Sequence, residues 1–330
     1  MINENSYLIS IYCTVYNNAR YLNDSIASII NQFKNFDRDF ELVIVDNYST
    51  DGTFEILKEI QNSHKNIKLI QEKCSRGKGR AIAYENSSGK FVFTVDLDSE
   101  YLKSLSFLVN YALEHYKEKT IFSQILFCSR ATMNLIGNWI DANEAEPFEF
   151  LARALSKGIE LYFVPVFYVK NAIAKDRERR YAGKFFKYLK RGFSYYIDRI
   201  RCEGIISRKG LMTNTLKGRI LINFAYYYIK FKQIKVYKYS DYLINSFFVH
   251  SKIKFLDPKK IGVPSEFLGF YVYTNNMPLN LVSKLESELR KININKKMLI
   301  MNKITLFYSD FTSKEYITYL QEFYKTLAGS

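Results

Sequence analysis

FVFTVDLDSEY, residues 91–101, is the stretch from which the fold of this 330-residue chain is best predicted. Its first five residues, Phe91 to Val95, are apolar or β-prone and predict a buried strand. The strand runs directly into Asp96-Leu97-Asp98. Two carboxylates placed two residues apart suit Mg²⁺ or Mn²⁺, ions that usually hold phosphates as well. Because open α/β sheets bind ligands at the carboxyl ends of their strands, this stretch predicts a metal–diphosphate site.

A second Asp-x-Asp pattern, Asp37-Arg38-Asp39, lies in a polar segment, and we interpret it as a solvated turn. Pairs of this kind arise by chance in a chain of this composition. The interpretation of Asp96 and Asp98 therefore depends on what the rest of the chain places around them.

Three more apolar runs precede this stretch, and each is bounded by polar residues, at 7–13, 40–45 and 67–71. Between them, apolar residues recur at helical spacing over about residues 21–33 and 53–62. Alternating strands and helices predict an α/β fold with a doubly wound, mostly parallel sheet flanked by helices. We assign this domain to residues 1–170.

The segment Arg76-Gly77-Lys78-Gly79-Arg80 lies between the third and fourth predicted strands. Glycines let a backbone approach an anion closely, and three cations in five residues favour a phosphate. The spacing is neither that of a Walker loop nor that of a dinucleotide fingerprint. A basic, solvated segment without a ligand is the alternative interpretation.

Composition limits the class of protein. A hydrophobic content of 48% supports a substantial core. Four cysteines, at positions 13, 74, 128 and 202, show no CxxC spacing and favour reduced thiols. The first residues lack a signal-peptide pattern, and no stretch reaches the roughly 18 apolar residues of a spanning helix. We expect a cytoplasmic protein, or one that is peripheral on the cytoplasmic face of the membrane.

Residues 7–165 resemble family 2 glycosyltransferases with the GT-A fold, of an archaeal-like or bacterial-like kind. Four pieces carry the resemblance in family order: CTVYNNARYLNDSIASIINQ, ELVIVDNYSTDGT, RGKGRAIAYENSSGKFVFTVDLD and IGNWIDANEAEPFEFLARALSKGIELYFVP. The resemblance implies a hexosyltransferase-like enzyme that moves a sugar from a UDP-sugar or GDP-sugar, with inversion, using Mn²⁺ or Mg²⁺.

The resemblance also implies a donor site. Asp46 would accept a hydrogen bond from the base, and Asp96 would lie near the ribose. Asp98, with Asp96, would hold the metal that bridges both phosphates. The remaining residues implied on the nucleotide-sugar side are Thr14, Tyr16, Asn17, Asn47, Arg76, Lys78, Arg80 and Leu97.

The acceptor side departs from the family pattern. The family base is usually the Asp of a Glu-Asp pair, but here the Glu falls on Glu146 and the Asp on Pro147. Three interpretations remain open: Glu146 or Glu149 substitutes, the acceptor is already ionised and needs no base, or the chain transfers poorly. Arg153 matches an arginine of the family on this side. Trp139 could stack on a sugar, although a lone tryptophan is more often a core anchor.

The second half of the chain is basic. Residues 1–165 carry a net charge of −4 and residues 166–330 a net charge of +19. We assign 171–330 to a mostly helical region that contacts the acceptor, either a glycan or a lipid phosphate, or a membrane surface. Helices are predicted at 175–191, 279–292 and 314–327, and strands at 161–169 and 298–307. Binding of nucleic acid is a disfavoured alternative, and a non-catalytic homologue that binds sugar nucleotides is another.

Overall fold

The computed structural model describes residues 7–171, 185–203, 216–237, 253–273, 279–300 and 304–329. The first half is built on five strands: β1 Ile9–Val15, β2 Phe40–Asp46, β3 Ile67–Gln71, β4 Phe91–Thr94 and β7 Cys128–Ser129. They form one sheet in the order β3-β2-β1-β4-β7. The first four strands pair in parallel, and β7 runs antiparallel to β4. The predicted α/β fold with a mostly parallel sheet is confirmed.

Helices cover both faces of this sheet. They are α1 Ala19–Ile30, α2 Phe36–Asp39, α3 Thr53–Ser63, α4 Arg76–Glu85, α5 Ser104–His115, α6 Arg130–Ile136 and α7 Glu146–Ser156. Side chains of a strand alternate between faces. In β2, Leu42 and Ile44 pack with residues of α1 and α5, whereas Val43 and Val45 pack with residues of α4 and α7. The strands are therefore apolar on both sides, which explains their continuous apolar runs.

Two smaller sheets extend this core. Strands β6 Thr120–Phe122, β8 Glu160–Phe163 and β10 Ile253–Phe255 are parallel in the order β10-β8-β6. Strands β5 Ser99–Tyr101 and β9 Val169–Asn171 pair antiparallel. The prediction of a single strand at 161–169 is wrong, because β8 ends at Phe163 and Val169 already belongs to β9. Pro165 lies between the two strands, where no ladder hydrogen bond is required of it.

Beyond residue 171 the described residues form helices and a fourth sheet. The helices are α8 Phe185–Glu203, α9 Leu216–Phe231, α10 Leu279–Lys291 and α11 Lys314–Gly329. Strands β11 Gly269–Tyr273, β12 Lys296–Ile300 and β13 Ile304–Tyr308 are antiparallel in the order β11-β13-β12. The single strand predicted at 298–307 is thus two strands. The basic part of the helix predicted at 175–191 lies largely outside the described residues, and no described helix is long and apolar enough to cross a membrane.

Candidate active site

Strand ends converge at the carboxyl edge of the main sheet. Val15 and Asp46 are paired in register at the ends of β1 and β2, and β4 ends at Thr94, two residues before Asp96. The Thr14 hydroxyl donates a hydrogen bond to the carbonyl of Val45 at 3.1 Å, which ties the two central strand ends together. This edge is where open α/β sheets bind their ligands.

Asp46 is fully buried and only half satisfied. Its Oδ2 accepts hydrogen bonds from the Ser49 amide at 3.1 Å and from Gln71 Nε2 at 3.0 Å. Its Oδ1 is buried and has no hydrogen-bond partner within the described part of the chain. Buried carboxylate oxygens are normally hydrogen-bonded, so Oδ1 is an acceptor that a ligand donor can satisfy. Gln71 was not singled out from the sequence, although it ends the strand beside Asp46.

Asn17 and Asn47 bind the protein's own loops. Asn17 Oδ1 accepts a hydrogen bond from the Thr50 amide at 2.9 Å, and Asn47 Oδ1 accepts one from the Cys74 amide at 3.0 Å. Both therefore shape the edge of the site. Tyr16, in contrast, is exposed at this edge, where its ring is accessible to a base.

The basic segment at residues 76–80 is the start of helix α4 rather than a loop. Ser75 is its N-cap, and the Ser75 hydroxyl accepts a hydrogen bond from the Lys78 amide at 3.1 Å. A helix N-terminus favours an anion, so the phosphate hypothesis for Arg76 and Lys78 acquires a second physical basis. The serine directly before the basic residues was the sequence signal for this helix.

The two glycines of this segment serve helix packing. A Cβ added to Gly77 would lie 2.0 Å from the Ile140 carbonyl oxygen, and one added to Gly79 would lie 2.4 Å from Thr14 Oγ1. Only glycine fits at these positions while α4 lies against the end of β1. The interpretation that both glycines open the backbone to a phosphate is therefore corrected, since their α-carbons face protein.

Arg80 links two acidic groups inside the protein. Its Nη1 donates to Glu146 Oε1 at 2.8 Å and its Nη2 to Asp96 Oδ1 at 2.8 Å. The Arg80 side chain is buried, whereas that of Asp96 is 59% exposed. Desolvation raises the pKa of Asp96, but the guanidinium groups of Arg80 and Arg76 outweigh it and hold the pKa below its ordinary value. Arg80 thus keeps Asp96 ionised and fixed, and is covered too deeply for the direct phosphate contact that the resemblance implied.

Glu149 and Arg153 form a closed pair. Arg153 Nε and Nη2 donate to the two Glu149 carboxylate oxygens at 2.8 and 3.0 Å. The remaining Arg153 donors reach the carbonyls of Ile136, Gly137 and Asn138, each at 2.9 Å. Glu149 is fully buried. These contacts favour a structural role for both side chains, which hold the turn after α6, over the predicted roles of Glu149 as a base and Arg153 as an acceptor contact.

Glu146 is also buried, but differs from Glu149 in having one oxygen to spare. Its Oε1 accepts from Arg80, with Arg76 Nη1 3.8 Å away, while its Oε2 has no partner in the described residues. Ala145, directly before it, holds a left-handed backbone conformation with φ 60°. Such a conformation costs a non-glycine residue about 1 kcal/mol or more, so the packing around Glu146 fixes this turn.

Trp139 is a core residue. It is 5% exposed, its ring stacks on Phe150 with centroids 4.7 Å apart, and its Nε1 donates to the Tyr12 hydroxyl at 3.0 Å. The guanidinium of Arg80 lies 5.0 Å from the ring centroid. The structure therefore favours the alternative of a core anchor over stacking on an acceptor sugar.

The Asp96-Leu97-Asp98 turn has the donor chemistry of a hard-cation site. The Leu97 side chain is buried in the core, and the Leu97 carbonyl accepts a hydrogen bond from Asn18. The side chain therefore points into the core and not to the surface of the turn. Asp96 is ionised and partly exposed, and Asp98 follows two residues later. Among the described residues no cluster of three or more His, Cys, Asp or Glu side chains could hold a metal. Two carboxylates fit Mg²⁺ or Mn²⁺ in the manner of sites that complete the shell with substrate phosphates and water.

Comparison with known proteins identifies the family of the segment that contains Asp96 and Asp98. Residues 10–132 match the family described as Glycosyl transferase family 2. This segment belongs to that family. An uncharacterized glycosyltransferase of Haemophilus influenzae is 36% identical over 98 residues, which is 29% of each chain. An uncharacterized glycosyltransferase of Methanocaldococcus jannaschii is 30% identical over 180 residues, covering 51% of this chain and 57% of that one.

The putative teichuronic acid biosynthesis glycosyltransferase TuaG of Bacillus subtilis is 30% identical over 98 residues. The chain spans only 29% to 38% of the length of the first three curated relatives that it matches. Among solved structures, the mannosyltransferase PcManGT of Pyrobaculum calidifontis, in complex with GDP-Man and Mn²⁺, aligns with a TM-score of 0.47 and 12% identity, covering 98% of this chain and 86% of that one. Similarity at this level says nothing about the donor or the acceptor of this chain.

Proposed function

We propose that the chain is a glycosyltransferase that takes its sugar from a nucleoside diphosphate, UDP or GDP. The observation that carries the proposal is the buried, unsatisfied Oδ1 of Asp46 in the family 2 segment, beside the Asp96-Leu97-Asp98 turn at the same sheet edge. A base imide donates to Asp46, and the exposed ring of Tyr16 lies against the base. Residues 1–170 supply this donor site, and residues 171–330 face the acceptor.

The diphosphate lies at the start of α4 in this proposal. The helix N-terminus and the side chains of Arg76 and Lys78 offset its charge. Asp98 and Asp96 hold Mn²⁺ or Mg²⁺, which when bound supplies a positive charge against the departing diphosphate. The Arg80 guanidinium orients Asp96 and does not itself reach the substrate.

On the acceptor side we infer a group that arrives already ionised, such as a polyprenyl phosphate. Both glutamates near Pro147 are buried and paired with arginine, and Glu149 has no free oxygen. A neutral glycan hydroxyl needs a base within hydrogen-bond reach, whereas a phosphate oxygen is a nucleophile without one. The protein acts in this proposal in the cytoplasm, at or near the membrane face.

The donor site is tested by isothermal titration of UDP and GDP with and without Mn²⁺. We expect metal-dependent binding in the wild type and its loss in Asp98→Ala, because a single remaining carboxylate does not hold the ion. Asp37→Ala is the matched control, since it removes an aspartate of the other Asp-x-Asp pattern, on α2. Metal-dependent affinity that is equal in both variants would exclude this metal site.

The acceptor proposal is tested with Glu146→Gln. We expect turnover with a polyprenyl phosphate to stay within about threefold of the wild type, because losing a general base costs roughly 10² to 10⁴-fold. Nucleotide affinity, measured in parallel, shows that the donor site is intact. A hundredfold or greater loss of turnover at unchanged nucleotide affinity would identify Glu146 as the base and favour a glycan hydroxyl as the acceptor.

A non-catalytic homologue is the second candidate, and the proline in place of the family aspartate favours it. Its signature is nucleotide binding that depends on Mn²⁺ without transfer to any acceptor of either class. Release of free nucleotide from UDP-sugars and GDP-sugars in the presence of lipid phosphates separates the two candidates.

A further inference from the structure

Helix α9 has two apolar faces. One packs on α8, where Ile222, Ala225 and Ile229 are buried and the ring of Tyr228 lies 5.4 Å from that of Phe193. The opposite face is exposed, and its apolar residues recur at three- and four-residue spacing, so they form one line along the helix. We call this line the α9 stripe: Leu216, Ile220, Phe224, Tyr227 and Phe231.

The stripe is too large and too exposed to be an ordinary surface feature. Phe224 is 66% exposed and Phe231 is 80% exposed. Isolated exposed apolar residues are normal, but contiguous apolar patches mark interaction sites. The α9 stripe is therefore a candidate docking surface.

Charge indicates the chemistry of a docking partner. The segment from 216 to 237 contains five Lys or Arg and no Asp or Glu, and the nearest acidic residues along the chain are Glu203 and Asp241. Lys232 Nζ lies 5.6 Å from the ring centroid of Phe231, at the end of the stripe, and Lys230 Nζ lies 4.8 Å from that of Tyr226. A second copy of the chain would bring these cations against each other. Aromatic residues bordered by lysines match a bilayer surface, with rings at the acyl boundary and ammonium groups at anionic headgroups.

The stripe is coupled to the acceptor side of the site through one helix. On α8, Asp198 Oδ2 accepts from the Asn143 amide at 2.9 Å, and Arg201 Nη1 donates to the Asp141 carbonyl at 3.2 Å. Asn143 Oδ1 in turn accepts from the Arg76 amide at the start of α4. The helix that carries the stripe thus packs on the helix that braces the turn before Glu146.

We propose that the α9 stripe docks onto an anionic phospholipid surface. This goes beyond the donor site and does not rest on the proposed transfer. If the transfer proposal also holds, docking delivers a membrane-borne acceptor to the face of the protein that α8 braces.

The test is vesicle co-sedimentation of the full chain with phosphatidylcholine alone and with added phosphatidylglycerol. We expect binding to the anionic vesicles only, and a loss of at least tenfold in the double variant Phe224→Ser/Phe231→Ser, because the variant lacks the two exposed rings that docking would bury. The matched control is Leu299→Ser/Phe311→Ser, which removes two exposed apolar side chains elsewhere and should bind within about twofold of the wild type.

Charge and competing partners complete the test. Lys230→Glu/Lys232→Glu should weaken binding, and added salt should weaken wild-type binding, since exposed charges are screened. Equal vesicle binding by the stripe and control variants would overturn the proposal. So would light scattering that shows a dimer dissociated by Phe224→Ser/Phe231→Ser, or a gel shift with nucleic acid that depends on these residues. Mn²⁺-dependent nucleotide affinity in the stripe variant confirms folding and separates failure of docking from failure of the donor site.

Discussion

Replacing Arg80 with methionine should lower the free energy of unfolding by about 3–5 kcal/mol, because the substitution removes the buried guanidinium that donates to Glu146 and leaves that buried carboxylate with only the more distant Arg76, 3.8 Å away. The measurement is urea unfolding of the variant and the wild type. Arg38→Met is the control, since Arg38 is exposed in an ion pair with Asp39 and should change stability by less than about 1 kcal/mol. The double variant Arg80→Met/Glu146→Gln should recover part of the loss. A change below about 1 kcal/mol in Arg80→Met would show that Glu146 is not held by this pair.

The same substitution should shift the pH dependence of metal binding. Local desolvation by the surrounding protein raises the pKa of Asp96, although the side chain is 59% exposed, and the guanidiniums of Arg80 and Arg76 lower this pKa by more, so removal of Arg80 moves it upward. In the wild type, the lowered pKa contributes stability at neutral pH that is lost as the pH falls through the acidic range below about 4. The midpoint of Mn²⁺-dependent nucleotide binding should therefore move to higher pH in Arg80→Met.

Arg153→Met should be comparably damaging, again by about 3–5 kcal/mol. Glu149 would remain buried without its partner, the carbonyls of Gly137 and Asn138 would lose the Arg153 donor, and that of Ile136 would keep only Lys157. Lys157→Met, at the C-cap of the same helix, is the matched control. Lys157 also donates to the carbonyls of Leu135 and Ile136, but it is exposed, so its loss should cost less than about 1 kcal/mol.

Thermal unfolding of Arg153→Met, with acceptor kinetics on the folded fraction, checks this expectation. The structural role predicts a large fall in melting temperature with unchanged affinity for the acceptor. A variant of normal stability that binds its acceptor poorly would contradict it and return Arg153 to the acceptor site.

The main sheet was predictable because each of its parallel strands is covered on both faces. Val43 and Ile44 point to opposite layers, yet both are buried, so β2 appears in the sequence as a continuous apolar run that ends in Asp46. Residues 91–95 form a similar continuous run, so the same reasoning predicts that Asp96 and Asp98 follow the end of a strand. In a parallel sheet the carboxyl ends of neighbouring strands lie along one edge, so the edge at which a ligand would bind is predicted from the topology.

The ion network was not predictable, because its members are far apart in sequence. Arg80 and Glu146 are separated by 66 residues, and no local pattern distinguishes an arginine that will be buried from one that meets phosphate. The glycines beside Arg80 misled for the same reason, since a carbonyl oxygen from Ile140 occupies the space that was assigned to an anion. Strands β12 and β13 are predicted as one strand because the three residues between them, 301–303, include neither glycine nor proline.

The pairing of β10 with β8 has a consequence for how the protein can be divided. Ile253 and its neighbours, contributed from far along the chain, pair with Leu161 to Phe163 and leave β8 with a partner on both sides. An excised fragment that ended at residue 170 would lack β10 and leave one edge of β8 with unpaired backbone donors and acceptors, and a fragment that ended at residue 132 would lack β8 as well and leave β6 without its strand partner. Exposed strand edges of that kind pair with other chains, so such a fragment would be prone to aggregation. The matched segment, residues 10–132, is therefore not a unit whose strands are all paired, because β6 depends on a strand from later in the chain.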